Sequence, residues 1–113
     1  MNENKLTILW TNADPLTSEH MVFMYAYNAK KMKLWEDVEV IIWGATSKLV
    51  KDDANIRNLI KESQAVGVKF RACIACANAL GSTEALSGLD IELEKMGKPL
   101  TEIIKNKENL LTI

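Results

Sequence analysis

Apolar and polar positions along this chain fall into blocks whose period switches between that of a strand and that of a helix. Lys5 to Trp10 (KLTILW) is a short apolar run with β-branched residues. Thr11, Asn12, Ala13, Asp14 and Pro15 then break it, so a strand followed by a loop is expected. Leu16 to Lys33 contains neither Gly nor Pro, and Asp14 with Pro15 ahead of it has the form of an N-cap and a first helical residue. The first helix is placed there. Asp37 to Trp43 (DVEVIIW) carries Val38, Val40, Ile41 and Ile42 and closes at Gly44, which predicts a second strand buried on both sides.

Ile56, Leu59, Ile60 and Ser63 recur at helical spacing, with Asp52, Asp53, Arg57, Lys61 and Glu62 on the opposite side and Gly67 at the C-cap position. A helix from about Asp53 to Val66 follows. Val68 to Cys73 (VKFRAC) alternates as a third strand, and Ala75, Ala77 and Ala79 before Gly81 predict a short helix packed closely on the sheet. Ile91 to Met96 reads as a fourth strand ending at Gly97, Leu100, Ile103 and Ile104 as the apolar stripe of a last helix, and Leu110 to Ile113 as a last strand. Strands and helices alternating over short links predict an α/β fold: three layers, with a parallel sheet covered on both faces and right-handed crossovers. Ligands of such sheets gather at the carboxyl ends of the strands, where Thr11, Asn12, Trp43, Gly44, Cys73 and Met96 would lie.

Composition narrows this picture. With 113 residues, 48% of them hydrophobic and 26% charged, the chain is expected to be a single domain over 1–113. Fourteen basic against fifteen acidic residues are scattered without a basic stretch, which gives no footprint for nucleic acid. Met1 to Lys5 lacks the form of a signal peptide, and the apolar run Met21 to Tyr27 is far below the roughly 20 residues of a membrane span. A cytoplasmic protein without a membrane partner is therefore expected. There is no Gly-rich phosphate loop to support nucleotide binding.

The candidate chemistry lies in the two cysteines, Cys73 and Cys76. Cys73 closes the third strand and Cys76 falls one turn into the next helix, so both thiols are expected near the free N–H groups of that helix end. In a CxxC setting a helix N-terminus can lower a thiol pKa from about 8.5 to roughly 7, giving a nucleophile at cell pH. Lys69 and Arg71 share strand parity with Cys73, so Arg71 could assist, although the plainer reading is that both cations simply reach solvent at a strand edge. The competing reading of the cysteines is packing, since free Cys behaves as a small buried hydrophobe. Zinc lacks ligands, because one CxxC and the single His20 leave a tetrahedral set incomplete. His20 is expected as a partly solvated first-turn residue. Trp10 and Trp43, at strand ends, either line a cleft or cap the core.

The segment GVKFRACIACANALG, Gly67 to Gly81, together with the Asp14-Pro15 helix start, WGATSKLV (Trp43 to Val50) and MGKPLTEIIK (Met96 to Lys105), resembles small DsrE/DsrF-like proteins over nearly the whole chain. That family contains subunits of bacterial sulfur-relay complexes. The resemblance implies a five-stranded parallel sheet of order 4-3-2-1-5 and a homotrimer or homohexamer. It also implies that Cys73 holds sulfane sulfur as a persulfide passed between donor and acceptor proteins. Cys76 departs from the relay subunits, which typically carry a small residue there, and brings the chain nearer to stand-alone members.

Three functions follow as expectations. The first is a sulfur-transfer protein with a persulfide on Cys73, which requires no metal or organic cofactor because sulfur moves by thiolate attack. The second is a non-enzymatic binding or regulatory module with a cleft bordered by Asn12, Trp43, Gly44 and Met96. The third is a thiol–disulfide oxidoreductase using Cys73 and Cys76. Seven successive apolar or aromatic residues in MVFMYAY exceed one helix face, so self-association through them is also expected.

Overall fold

The computed structural model of the chain describes residues 3–113. Strand β1 (Lys5–Trp10) lies where its apolar run predicts it. The helical segment that follows, α1, spans 15–31. It starts as expected: Pro15 takes the first position, and the Asp14 carboxylate accepts from the Thr17 N–H at 2.9 Å and the Thr17 hydroxyl at 2.8 Å. It stops at Lys31 rather than Lys33, because Lys33 turns to φ 59° and the Leu34 N–H closes back on the Ala29 carbonyl at 2.9 Å.

The middle of α1 departs from plain α geometry. Ser18–Phe23 is π-helical, with the Met24 N–H reaching the Glu19 carbonyl. The extra residue per turn lets two successive side chains, Val22 and Phe23, enter the core together. This absorbs much of the apolar surplus of MVFMYAY. Val22, Phe23 and Ala26 are buried, and Met21 and Met24 remain exposed.

Strands β2 (Asp37–Ile42) and β3 (Lys69–Cys73) sit where predicted, each shorter by one residue than its apolar run. Between them stand two helices, α2 (Ala45–Asp52) and α3 (Ala54–Ala65). The sequence pattern predicts only the second, because Ala45–Asp52 spans little more than two turns and buries Thr46 and Ser47 beside Val50 instead of a run of apolar residues. Asp53 separates them, its carboxylate capping α3 through the Ile56 N–H at 3.1 Å. The small-residue helix α4 (Ile74–Leu80) is followed by an unforeseen short helix, α5 (Thr83–Ser87). Then come β4 (Glu92–Glu94), shorter than Ile91 to Met96, α6 (Gly97–Lys105) and β5 (Leu110–Thr112).

All strand pairs are parallel and the order is β4-β3-β2-β1-β5. The chain is therefore a five-stranded α/β fold, as the sequence implies. The two sheet faces are unequally covered. Leu6, Ile8, Trp10, Val38, Val40, Ile42, Phe70 and Ala72 join residues of α1, α2, α3 and α5 in the main core. The opposite parity meets a much smaller cluster of Ile41, Cys73, Met96 and Ile103, to which α6 alone brings a helix-long cover.

Candidate functional site

Strand parity builds the site. Leu9, Ile41, Trp43 and Cys73 follow one another across the carboxyl ends of β1, β2 and β3 on the face that α6 covers, and Met96 and Ile103 close over them. Cys73 is 7% exposed, whereas Cys76 is half-buried and packs against the same cluster. Cys73 and the backbone N–H of Gly44 lie close enough to the Cys76 thiol to act on its protonation.

These contacts set the protonation of the pair. Burial, first, and then the hydrogen bond and charge interaction with Cys73 push the Cys76 thiol above its ordinary pKa, against the Gly44 amide, which pulls it down. Cys76 is thus held protonated at neutral pH. Cys73 occupies the N-cap of α4, but its side chain makes no cap hydrogen bond to the helix. The expected convergence of α4 amides on that sulfur does not occur. The amide that does reach a thiol comes from the neighbouring strand end.

Gly44 can offer that amide because of its backbone. Its φ of 72° and ψ of −134° lie in a region open essentially to glycine, and the Cβ of any other residue would be strained there even though no atom lies within 4 Å. The turn is anchored on both sides: Trp43 N–H donates to the Trp10 carbonyl at 3.3 Å, and the Thr46 hydroxyl donates to the same carbonyl at 2.8 Å.

Of the residues expected along the strand ends, Trp43, Gly44, Cys73 and Met96 are brought together, joined by Cys76 from α4, and Thr11 and Asn12 are not. The Asn12 side chain accepts from the Asp14 N–H at 2.9 Å, and its carbonyl accepts from Trp10 Nε1 at 3.0 Å and the Ser18 hydroxyl at 3.1 Å. It shapes the start of α1 instead. Met96 is 1% exposed and belongs to the interior of the cluster rather than to a cleft wall. Trp10 is fully buried, its ring edge-on to Phe23 at 5.0 Å, so of the two tryptophans it caps the core. Thr11 is pinned to the chain end, its N–H 2.7 Å from the Ile113 carbonyl.

Sequence reasoning also missed a charge cluster below the thiols. Arg71 Nε and Nη2 grip both oxygens of Glu39 at 2.9 and 2.7 Å, and Nη1 reaches Glu94 at 3.1 Å. Burial works against the charge of Arg71, but hydrogen bonds and attraction from Glu39, with Glu94 adding to them, outweigh it and raise its pKa. Arg71 therefore serves carboxylates and is not free to assist Cys73. Glu94 pairs in register with Cys73 across β3 and β4, a neighbour that the irregular 91–96 segment did not reveal in the sequence. Lys69 is exposed, as the solvent reading expects.

Among the described residues, no three His, Cys, Asp or Glu side chains converge as a metal site, and no helix is long and apolar enough to cross a membrane. His20 lines a cavity of about 280 Å³ between α1 and α3, with Phe23, Tyr27 and Leu59, which contains neither cysteine.

The geometry agrees with known proteins. The DsrE/DsrF-like family model matches residues 4–113. A conserved protein of unknown function from Bacteroides thetaiotaomicron, BT1422, superposes with a TM-score of 0.95 at 39% identity, covering 97% of this chain and 95% of that one. The ychN protein from E. coli matches with a TM-score of 0.69 at 14% identity, over 96% of this chain and 99% of that one, a likeness of fold. No curated protein matches the chain.

Proposed function

The chain belongs to the DsrE/DsrF-like family, and from that premise we propose that it carries sulfane sulfur as a persulfide on Cys73. The observation that carries this reading is the paired arrangement of the thiols: Cys73 ends β3 in a small apolar cluster apart from the main core, and Cys76 packs against that cluster. Attack of the Cys73 thiolate on the terminal sulfur of a donor persulfide forms one S–S bond, breaks another and releases the donor as a thiol. No electrons are gained or lost overall, and no cofactor takes part. The apolar surroundings shield the product from competing thiols, and loading requires the cover of α6 to open, since Cys73 is nearly sealed.

The test is anaerobic incubation with a cysteine desulfurase and cysteine, followed by intact mass. Cys76→Ser gains one sulfur atom and Cys73→Ser gains none, while wild type gains it at the earliest times. If both thiols prove inert in the folded protein, Cys73 is a packing residue and the carrier reading fails.

A homo-oligomer belongs to the same reading. Leu16, Met21 and Met24 on α1 are 68%, 41% and 51% exposed and support a second copy of the chain as their cover. A trimeric or hexameric mass by light scattering at micromolar concentration is expected, and a monomeric mass would remove the proposal.

A further inference from the structure

We propose that Cys76 discharges the sulfur held on Cys73, expelling it as hydrosulfide and leaving a Cys73–Cys76 disulfide. The inference rests on the carrier reading but assigns a separate step to a separate residue. The step balances on its own. The Cys73 persulfide anion and the Cys76 thiol become the disulfide and hydrosulfide, with one S–S bond broken and one formed. The two electrons given up by the cysteine pair end on the departing sulfur, and the Cys76 proton leaves with it. A small-molecule thiol then reduces the disulfide by two exchange steps and restores the pair.

Three features of the structure favour this route. The thiols share one site, Cys76 packing against the cluster that contains Cys73. An N-cap and the third helical residue after it also stand at about the 5–6 Å Cα separation that a disulfide accepts. Next, the Gly44 N–H lies by the Cys76 thiol and favours its charged form, where negative charge must develop as the thiol becomes the attacking thiolate. That donor is fixed by the Trp43 and Thr46 bonds to the Trp10 carbonyl and needs no rearrangement during the attack.

The third feature is access. Cys73 is nearly sealed among Ile41, Met96 and Ile103 and is reached poorly by an external thiol, whereas the half-buried Cys76 packs against that same cluster. Holding two groups in one enclosure gives an intramolecular step the effective concentration that a diffusing acceptor lacks. The resulting loop is tiny, so the disulfide adds little to stability and stays open to reduction.

The experiment loads wild type, Cys73→Ser, Cys76→Ser and Cys76→Ala anaerobically with cysteine hydropersulfide, then follows hydrosulfide with time and reads intact mass. Wild type is expected to release hydrosulfide above the Cys73→Ser background and to lose two hydrogens of mass, recovered with dithiothreitol. Both Cys76 variants are expected to retain the extra sulfur and to release hydrosulfide more slowly by roughly tenfold or more, the minimum that an intramolecular advantage should give. Equal release from wild type and the Cys76 variants, or a wild-type persulfide that persists without a disulfide, overturns this step and leaves the carrier reading standing. Failure of every variant to load sulfur overturns both.

Discussion

The two faces of one sheet differ by a single-residue offset along the same strands. On one face, Leu6, Ile8 and Trp10, then Val38, Val40 and Ile42, then Phe70 and Ala72 make a continuous apolar surface under α1, α2, α3 and α5. On the other, the strand starts carry Lys5, Glu39, Lys69 and Arg71, and only their carboxyl ends turn apolar at Leu9, Ile41 and Cys73. The first face devotes every position to burial. The second keeps a charge cluster and a thiol pair under one helix, where a sulfur atom can be added without rebuilding the main core.

The largest effect that would sharpen this contrast is on stability. Phe23 is buried between the rings of Trp10 and Phe70, at 5.0 and 6.3 Å, so Phe23→Ala is expected to cost about 4 kcal/mol in urea unfolding. On the second face Ile103→Ala should cost about 2 kcal/mol, because a single covering helix can settle into the space. Equal costs would break the distinction between the faces.

Next comes the charge cluster. Glu39→Ala leaves the Arg71 guanidinium without its bidentate partner in a mostly buried setting, for an expected loss of about 2–3 kcal/mol. Replacing Glu39 and Arg71 together by Met should recover most of that loss, since the desolvated charge is gone. A double variant as unstable as the single one would mean that the pair itself supplies the stability. Gly44→Ala should cost about 1–3 kcal/mol from backbone strain alone and, by moving its N–H, leave the Cys76 thiol with a higher pKa. Unfolding curves and thiol titration read the two consequences separately.

The smallest effect is one of pH. Burial, then the bond to Cys73, raises the Cys76 pKa, so its alkylation by iodoacetamide should accelerate only above the free-thiol range of about 8.5. Cys73→Ala should shift that onset downward by removing one of the raising causes. The fold binds this proton more tightly than the unfolded chain does. The corresponding stability is fully present below the unfolded pKa of about 8.5 and is lost as pH rises through the folded value. A Cys76 that alkylates at neutral pH as fast as an unfolded thiol would break the assignment of the pair.

Much of the scaffold was legible because period alone carries it. The runs at 5–10, 37–43 and 68–73 gave three strands, and Asp14-Pro15 gave a helix start that the Thr17 contacts bear out. Helices α2 and α5 escaped, being too short for a 3.6-residue stripe to repeat. Of the site, four residues placed at strand ends, Trp43, Gly44, Cys73 and Met96, did meet, with Cys76 from the following helix. Asn12 did not, because its polar groups are consumed by the turn into α1, a matter of local hydrogen bonds that no periodicity encodes.

The sequence by itself determined the alternation of strand and helix, the parity that sets Cys73 opposite Ala72, and the placing of Cys76 one turn beyond it. Those are consequences of spacing along one chain. Only the tertiary structure decided that α6 would cover the cysteines, that Gly44 rather than α4 would offer an amide to a thiol, and that Arg71 would be taken by Glu39 and Glu94. Each of those contacts joins residues from different strands or helices, and their partners are fixed by sheet register and by which face a crossover helix closes. That information lies in how segments pack rather than within any one of them.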